Sequence, residues 1–269
     1  MYLAAMLLLL RTESECMFMM DTIKFNKANT KVVAHRGLSG LEPENTVAAF
    51  VAAGNRSYYG AECDVHVTKD GKFVVIHDET TKRVASKNVD VEKSKLKKIR
   101  KVLLDDICGL ERKELGAEVH YCNRCDLYVP EMHEYINICK KYGKKCVLEV
   151  KNRMKTEDIK RMVDEISSLE YLDSVIFISF SLENVIDLRK LLPNQQVQFL
   201  IGKYDEEVLK ILNDNNVDLD IQYKALTKEI IDEVHANGHI VNCWTVDDKE
   251  AAEQLADWGV DQITTNILE

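Results

Sequence analysis

Short apolar runs alternate with longer amphipathic stretches along most of the chain after residue 30. Brief apolar runs bounded by turn-forming residues are typical of buried strands, and apolar positions three to four residues apart are typical of helices. The pattern predicts strands at 32–34, 58–67, 73–77, 145–151, 175–180, 197–201, 217–221, 239–246 and 260–266. It predicts helices at 47–54, 90–104, 130–142, 156–169, 183–192, 206–213, 227–237 and 249–258.

The segment 68–71, Thr-Lys-Asp-Gly, has the composition of a hairpin turn and separates two of these strands. The strand at 73–77 is therefore expected to return antiparallel beside the strand at 58–67. The other eight strands are mostly followed by helices, which predicts an α/β fold of the (β/α)8 TIM barrel type with an extra β-hairpin. A doubly wound open sheet is the alternative, and it is disfavoured because no glycine-rich phosphate loop follows the first strand.

Charged and titratable residues stand at or near the carboxyl ends of several predicted strands. Glu62, Asp64 and His66 share one face of the second strand because side chains repeat every second residue, and the two carboxylates are taken as site candidates. The hairpin then brings His77 back beside this acidic pair. In an α/β barrel the carboxyl ends of the strands meet at the rim where active sites lie. The candidate site residues at this rim are His35, Arg36, Glu62, Asp64, His77, Glu149, Lys151 and Trp244.

The three carboxylates of this group would repel one another unless a cation lay between them. Glu62, Asp64 and Glu149 are therefore predicted to bind one divalent cation, either Mg²⁺ or Ca²⁺, since both prefer oxygen ligands. Arg36 and Lys151 are then free to hold an anion, and phosphate suits both. A structural salt bridge between Glu149 and Lys151 is the simpler alternative for that pair.

His35 and His77 titrate near neutral pH and can serve as the base and the acid of a reaction. With a metal and two cations to neutralise charge on phosphoryl oxygens, the set predicts metal-assisted cleavage of a phosphodiester. Taken alone, His77 with Asp78 is typical of a surface pair. Trp244 is either part of the core or a platform for the organic part of a substrate.

Composition narrows the choice of partners. The formal net charge of -9 argues against binding to a nucleic-acid backbone, which needs a basic face. Eight cysteines among 269 residues are too few for a disulfide scaffold, and several lie in apolar strands, so reduced thiols in a cytoplasmic protein are expected. The pair Cys122 and Cys125, with His120 and His133, has some likeness to a zinc site, but a lone Cys-x2-Cys is a weak signal.

The first 30 residues are expected to form an N-terminal extension, and 31–269 a single catalytic barrel domain. The apolar run 1–10 is too short to span a bilayer, and no signal-peptide pattern surrounds it, so stable membrane insertion is not expected. A weak surface anchor is one reading of this run, and a later biological start at Met17, Met19 or Met20 is another. Residues before about Asp21 are expected to pack outside the barrel core.

Seven short motifs, in order along the chain, resemble those of the glycerophosphodiester phosphodiesterases over about residues 31–268. They are His35-Arg36-Gly37, Pro43-Glu44-Asn45-Thr46, Glu62-x-Asp64, His77-Asp78, Glu149-x-Lys151, Trp244-Thr245-Val246, and Gly259-Val260-Asp261 leading to Thr264-Thr265-Asn266.

The resemblance implies a TIM barrel with a small insertion after the second strand, which fits the irregular stretch at about 79–127. It implies metal binding at Glu62, Asp64 and Glu149, with His35 and His77 as the acid–base pair. It implies hydrolysis of a glycerophosphodiester, a small molecule, to an alcohol and sn-glycerol 3-phosphate. Glu44 and Asn45 resemble residues that lie beside the substrate or support the site. Asn266 departs from the pattern, since the family often has Asp at this position.

Two alternatives remain at the level of function. One keeps the enzyme and changes the substrate, as in a lysophospholipase D or a sphingomyelinase D-like phosphodiesterase, and a wide apolar mouth around Trp244 would favour it. The other is a barrel that binds phosphodiesters without catalysis, which is disfavoured because every acid, base and ligand position is filled. The alcohol moiety, the metal, the order of the two histidines and the oligomeric state are left open by the sequence.

Overall fold

The computed structural model describes residues 21–116, 119–120 and 122–269. The strands are β1 (Lys31–Ala34), β2 (Gly60–Val67), β3 (Phe73–Val75), β4 (Lys145–Val150), β5 (Val175–Ser179), β6 (Val197–Ile201), β7 (Asp218–Gln222), β8 (Val241–Trp244) and β9 (Gln262–Thr265). The helices are α1 (Val47–Gly54), α2 (Leu96–Ile99), α3 (Gly109–Leu115), α4 (Met132–Tyr142), α5 (Thr156–Ser168), α6 (Leu182–Leu191), α7 (Glu206–Asn215), α8 (Lys228–Ala236) and α9 (Lys249–Asp257).

Eight parallel strands close into a ring. The order β1-β9-β8-β7-β6-β5-β4-β2 is completed by pairing of β1 with β2, and β3 lies outside the ring, antiparallel to β2. The predicted (β/α)8 TIM barrel with an extra hairpin is therefore confirmed. The register places Ala34 beside Ala61 and Asp64 beside Glu149, so the end of β1 is level with the second residue of the longer β2. This register places the predicted site residues of β1, β2 and β4 near one another along the barrel axis.

The barrel interior is divided into two chemically different halves. One half is apolar, with Val33, Val147, Ile176, Ile178 and Leu200 packed together. The other, which we call the polar half, consists of Gln198, Asp220, Asn242, Gln262 and Thr264, all buried. Gln198 on β6 bonds Gln262 on β9 at 3.5 Å and accepts from Asn242 at 3.3 Å, so these side chains meet across the interior. An interior of branched apolar residues is the usual filling of such a barrel.

The helix predicted at 90–104 is wrong over most of its length, since only α2 forms there. The backbone of this segment bonds other segments instead of itself: Val91 N donates to Glu79 O, and Lys69 N donates to Ser94 O. Apolar residues spaced through it, including Val91 and Val102, fill a second core beneath the insertion. Tertiary bonds therefore override a weak helical pattern that is rich in lysine.

The helix boundaries largely follow the expected signals. Thr46 caps α1 by accepting from Ala49 N, and Gly143 ends α4 in the left-handed region at φ 63°. Thr156, a residue type that often caps helices, is instead the first residue of α5, and Lys155 precedes it as the cap. Its hydroxyl instead donates to Asp187 on α6 at 2.7 Å.

The described N-terminal segment is fastened to the last residue of the chain. Glu269 accepts from the Thr22 hydroxyl at 2.7 Å and from Ser57 N at 2.6 Å, and its carboxylate lies 2.8 Å from Lys24 Nζ. The expectation for residues before Asp21 lies outside the described residues. Within the described ranges, no helix combines the length and apolar character needed to cross a membrane.

Candidate active site

The turn after β1 places His35 and Arg36 at the rim. Arg36 and Gly37 both adopt the left-handed region, at φ 54° and 75°, so the chain reverses as soon as the strand ends. A side chain at Gly37 would place its Cβ 2.6 Å from the carbonyl carbon of Ala49, so only glycine fits. Arg36 N donates to Glu62 Oε2 at 2.8 Å, which joins the turn to the acidic pair on β2.

Glu62, Asp64 and Glu149 form a cluster whose ligand atoms lie within 4.8 Å of one another. All three are buried, at 3%, 1% and 7% exposure. Burial and the neighbouring carboxylates raise the pKa of Glu62 well above its usual value, and burial with the charge on Asp64 raises the pKa of Glu149 to about 7. Arg36 and Lys151 overcome burial at Asp64 and hold its pKa well below the usual range. Among the three carboxyls, Asp64 therefore keeps its charge most readily, while burial and repulsion favour the protonated forms of Glu62 and Glu149.

The two predicted anion-binding cations face these carboxylates. Arg36 Nε lies 3.4 Å from Asp64 Oδ2, and Lys151 Nζ lies 2.9 Å from Glu149 and 3.4 Å from Asp64. The salt bridge that the sequence left open for Glu149 and Lys151 is present. Asn45, at φ 54°, donates its amide to Asp64 Oδ2 at 2.7 Å, so it supports the cluster. Phosphate binding by the two cations stays a prediction.

His35 is held by the last strand. Its Nδ1 lies 2.8 Å from Asn266 Oδ1, and its Nε2 lies 4.0 Å from Glu62. Asn266 in turn donates its amide to Asp247 Oδ2 at 2.7 Å. Burial, together with the charge on Arg36, lowers the pKa of His35 to about 4. His35 is thus a neutral imidazole near pH 7, with Nδ1 fixed and Nε2 directed to the carboxylate side.

His77 is held by a chain of charged groups that includes a residue the sequence analysis missed. Its Nδ1 lies 2.6 Å from Asp78 Oδ1, and Arg83 bonds Asp78 at 2.8 and 3.0 Å. Arg83 also bonds both oxygens of Glu44 at 2.7 and 2.8 Å, while Glu44 accepts from Arg36 at 2.8 Å. Arg83 therefore joins the two histidine-bearing segments. It lies in the irregular stretch after β3, where no motif or period points to it.

A second missed residue, His66, supports His77 from below. It is 1% exposed, its Nδ1 lies 2.8 Å from Glu92, and its Nε2 lies 3.2 Å from the carbonyl oxygen of His77. The alternation Glu62, Asp64, His66 along β2 is the sequence signal that could have found it, because it puts all three on one face.

These groups surround a cavity of about 150 Å³. Both histidines, Arg36, Glu62 and Glu149 line it, while Ile178, Phe180, Leu200 and Trp244 form an apolar wall. Phe180 is 51% exposed and meets the Trp244 ring edge-on at 5.5 Å. Asp220, which the sequence analysis did not single out, also lines the cavity. Four predicted site residues do not line the cavity but contact residues that do, directly or through one another. Glu44 and Asp64 contact Arg36, Lys151 contacts Glu149, and Asn45 contacts Asp64.

The weak zinc signal gains no support. His120 lies 2.8 Å from Asp105, His133 lies 4.0 Å from Glu131, and Cys122 and Cys125 are exposed. Across the ranges that the structure describes, Glu62, Asp64 and Glu149 are the one group with metal-binding geometry.

Comparison with known proteins agrees with this geometry. The sequence model of the glycerophosphoryl diester phosphodiesterase family matches residues 35–269. A glycerophosphodiester phosphodiesterase from Caldanaerobacter subterraneus is 30% identical, over 88% of this chain and 94% of its own length. One from Bacillus subtilis is also 30% identical, over 87% of this chain and 82% of its own length.

Solved structures share the fold. An Oleispira antarctica phosphodiesterase, in complex with the product sn-glycerol-3-phosphate, superposes with a TM-score of 0.75 at 23% identity and covers 88% of this chain and 92% of its own. A glycerophosphodiester phosphodiesterase from Parabacteroides distasonis gives 0.73 at 25% identity, covering 90% and 94%. The family match and these relatives define the chain as a phosphoric diester hydrolase. The chain belongs to the glycerophosphoryl diester phosphodiesterase family.

Proposed function

We propose that this protein hydrolyses glycerophosphodiesters to an alcohol and sn-glycerol 3-phosphate. The observation that carries the proposal is the cluster of three buried carboxylates beside a cavity lined by two histidines. Family membership supports the same reaction class. A binding protein without catalysis would not need two separately oriented imidazoles on one cavity.

Glu62, Asp64 and Glu149 would hold one divalent cation, Mg²⁺ or Ca²⁺. The donor set fits, because these are oxygen ligands, and because burial together with mutual repulsion raises the pKa values of Glu62 and Glu149, a repulsion that a cation would relieve. When bound, such a cation neutralises charge that builds up on phosphoryl oxygens. Arg36 and Lys151 add positive charge to the same place, and Glu44 and Asn45 keep Arg36 and Asp64 in position.

His35 is proposed to accept the proton of the nucleophile, which is either water or the 2-hydroxyl of the glycerol. Its neutral form at pH 7 and its fixed Nδ1 suit this role. His77 is proposed to give a proton to the leaving alcohol, because the Asp78 carboxylate beside Nδ1 leaves Nε2 to act and stabilises an imidazolium. The reverse order is the competing mechanism, and pH profiles of the single variants distinguish the two. Trp244 is proposed to contact the organic part of the substrate.

A lysophospholipase D or sphingomyelinase D-like activity is the second candidate. The observation in its favour is the apolar wall of the cavity, with Phe180 half exposed at its edge. A cytoplasmic location is proposed as well, since the described cysteines form no disulfide. The partner is proposed to be a small phosphodiester and not a nucleic acid.

The test is a panel of metals and substrates with matched variants. Release of glycerol 3-phosphate is assayed against release of choline phosphate, with Mg²⁺, Ca²⁺ or EDTA present. We expect glycerol 3-phosphate, loss of activity in EDTA, and the same loss in Glu62→Gln. His35→Ala and His77→Ala should each lower kcat by about two to four orders of magnitude.

His133→Ala is the control, because this half-exposed histidine lies on α4 and has only a 4.0 Å contact with Glu131. It should keep wild-type turnover. Near-wild-type, metal-dependent activity in both His35→Ala and His77→Ala would show that the assignment is wrong. Release of choline phosphate in place of glycerol 3-phosphate would move the cleaved bond and reject the proposed product.

A further inference from the structure

Asp220 is the one carboxyl in the polar half of the barrel interior. It lies on β7, is 1% exposed and has Leu200 of β6 as its register partner. Leu200 and Ile178 at the same inner wall show that apolar side chains fit there. Packing alone would therefore be served by a residue like leucine, and a buried carboxyl without full hydrogen bonding lowers stability.

Three residues that line the cavity each have a buried polar atom without a hydrogen-bond partner among the described residues. They are Arg36, whose Nε still lies 3.4 Å from Asp64, Asp220 through Oδ1, and Trp244 through the indole Nε1. The register pairs Asp220 with Asn242 and Gln222 with Trp244, so Asp220 and Trp244 are diagonal neighbours on adjacent strands. One offers an oxygen acceptor and the other an N–H donor. A hydroxyl group can donate to the first and accept from the second.

Asp220 does not belong to the metal cluster. The carboxylates that lie within 4.8 Å of one another are Glu62, Asp64 and Glu149. Asp220 also has no cation as a partner: burial raises its pKa well above the usual value, and Asn242 offsets this only in part. A carboxyl in this setting is suited to a neutral polar ligand.

We propose that Asp220 is a specificity-determining residue which, together with the indole N–H of Trp244, binds the terminal hydroxyl of the substrate's glycerol unit. The proposal rests on the proposed hydrolysis of glycerophosphodiesters. Glycerol is common to all substrates of that class while the alcohol varies, so glycerol suits the enclosed end of the cavity, where Asp220 and Thr264 are buried. The variable alcohol then faces the open edge at Phe180.

This arrangement selects against diesters whose terminal hydroxyl carries an acyl chain. The acyl chain would have to pass Asp220, which is 1% exposed, so the enclosed end of the cavity has no room for it. The apolar wall around Phe180 and Trp244 then contacts carbon atoms of a small substrate. The subsite therefore distinguishes deacylated glycerophosphodiesters from lysophospholipids.

The experiment compares sn-glycero-3-phosphoethanolamine with its 1-deoxy analogue, a propane-1,2-diol diester, by the ratio of their kcat/KM values. The wild type should favour the glycerol diester by about tenfold or more, because removing the hydroxyl leaves buried polar groups unpaired. Asp220→Leu, which has a similar branched shape, should lower this ratio about tenfold, and Trp244→Phe should lower it severalfold. Gln262→Met is the control, because it alters the same polar half without touching the cavity lining.

Three outcomes decide the matter. A ratio that falls in Asp220→Leu and holds within about twofold in Gln262→Met supports the subsite. An equal ratio in the wild type and Asp220→Leu overturns it while leaving the proposed function intact. If Asp220→Leu does not fold, Trp244→Phe is used instead. A fall in its ratio of kcat/KM values supports the subsite, and a ratio equal to that of the wild type overturns it.

A binding measurement distinguishes an error in the proposed hydroxyl subsite from an error in the proposed hydrolytic function. Calorimetry with Mg²⁺ compares sn-glycerol 3-phosphate with propane-1,2-diol phosphate on the wild-type protein. Tighter binding of the glycerol compound by about tenfold supports the subsite even if no diester is hydrolysed. Equal affinities overturn the subsite, and absence of hydrolysis of every diester overturns the proposed function.

Discussion

Arg83 should be needed for activity although it lies outside the cavity lining. It makes four hydrogen bonds to Asp78 and Glu44 at 2.7 to 3.0 Å, and these two carboxylates hold His77 and Arg36. Arg83→Met keeps the length of the side chain and removes all four bonds. Asp78 and Glu44 then repel each other, and the Asp78 carboxylate that holds the His77 ring loses the guanidinium that positions it.

The size of the effect follows from the exposure of the groups. Hydrogen bonds to charged groups contribute about 1.5–3 kcal/mol each when buried, and exposed ion pairs much less. Arg83, Glu44 and Asp78 have side-chain exposures of 26%, 15% and 30%. We therefore expect the free energy of unfolding to fall by about 2–4 kcal/mol in total. Loss of a group that orients a catalytic side chain typically costs about 10- to 100-fold, so kcat/KM should fall by that factor.

Arg124→Met is the matched control. Arg124 lies in the same insertion and also bonds two carboxylates, Asp126 and Glu42, but neither holds a proposed site residue. Urea unfolding gives stability, and the initial rate of glycerol 3-phosphate release gives kcat/KM at a temperature where both variants are folded. Arg83→Lys should not restore activity, since an ammonium cannot form the paired bonds of a guanidinium. Equal kcat/KM in Arg83→Met and Arg124→Met would refute the reasoning.

Two further predictions concern charge. Glu269→Gln should lower stability at pH 7 by about 2–3 kcal/mol, because contacts to this carboxylate hold its pKa at about 2, below the unfolded value of 4.5. That contribution to stability is complete above pH 4.5 and is lost as the pH falls toward 2. Urea unfolding measures the stability difference between the wild type and Glu269→Gln, with exposed Glu250→Gln as the control. A difference that persists at low pH, or an equal loss of stability in Glu250→Gln, would contradict the prediction. Asn266→Asp combined with Asp247→Asn exchanges a charge across one hydrogen bond and should raise the pKa of His35 from about 4 by roughly one to two units. The acid limb of kcat/KM should move to higher pH if neutral His35 is the base, and an unmoved limb would assign that role elsewhere.

Much of the fold could be predicted because its signals are local. Several ring strands, such as β5 and β6, are short apolar runs, and the turn at 68–71 fixes the antiparallel return that carries His77 back to Asp64. That turn is present, with Gly71 at φ 71° and Ile76 N bonded to Asp64 O. The site residues on strand ends could be predicted for the same reason, since parallel strands bring their carboxyl ends to one rim. Their catalytic and binding roles stay predictions.

The rest depends on contacts that leave no local pattern. Arg83 lies in a stretch without periodicity, and its importance comes from two carboxylates that the fold brings to it. Asp220 lies in β7, where polar residues alternate with Leu219 and Ile221, so the sequence does not distinguish it from Asp218 or Gln222. Its unpaired oxygen is visible only in the folded structure. The segment 90–104 was misjudged because its backbone hydrogen bonds go to distant residues, which a periodicity test does not detect.

The pairing of β1 with β9 has a consequence for the order in which the site forms during synthesis. His35 is synthesised early, but its partner Asn266 lies 231 positions later in the chain. A nascent chain on the ribosome therefore carries the first histidine long before anything can orient it, and the ring stays open until the last strand emerges. The contact that orients the His35 ring therefore forms only after β9 has been synthesised.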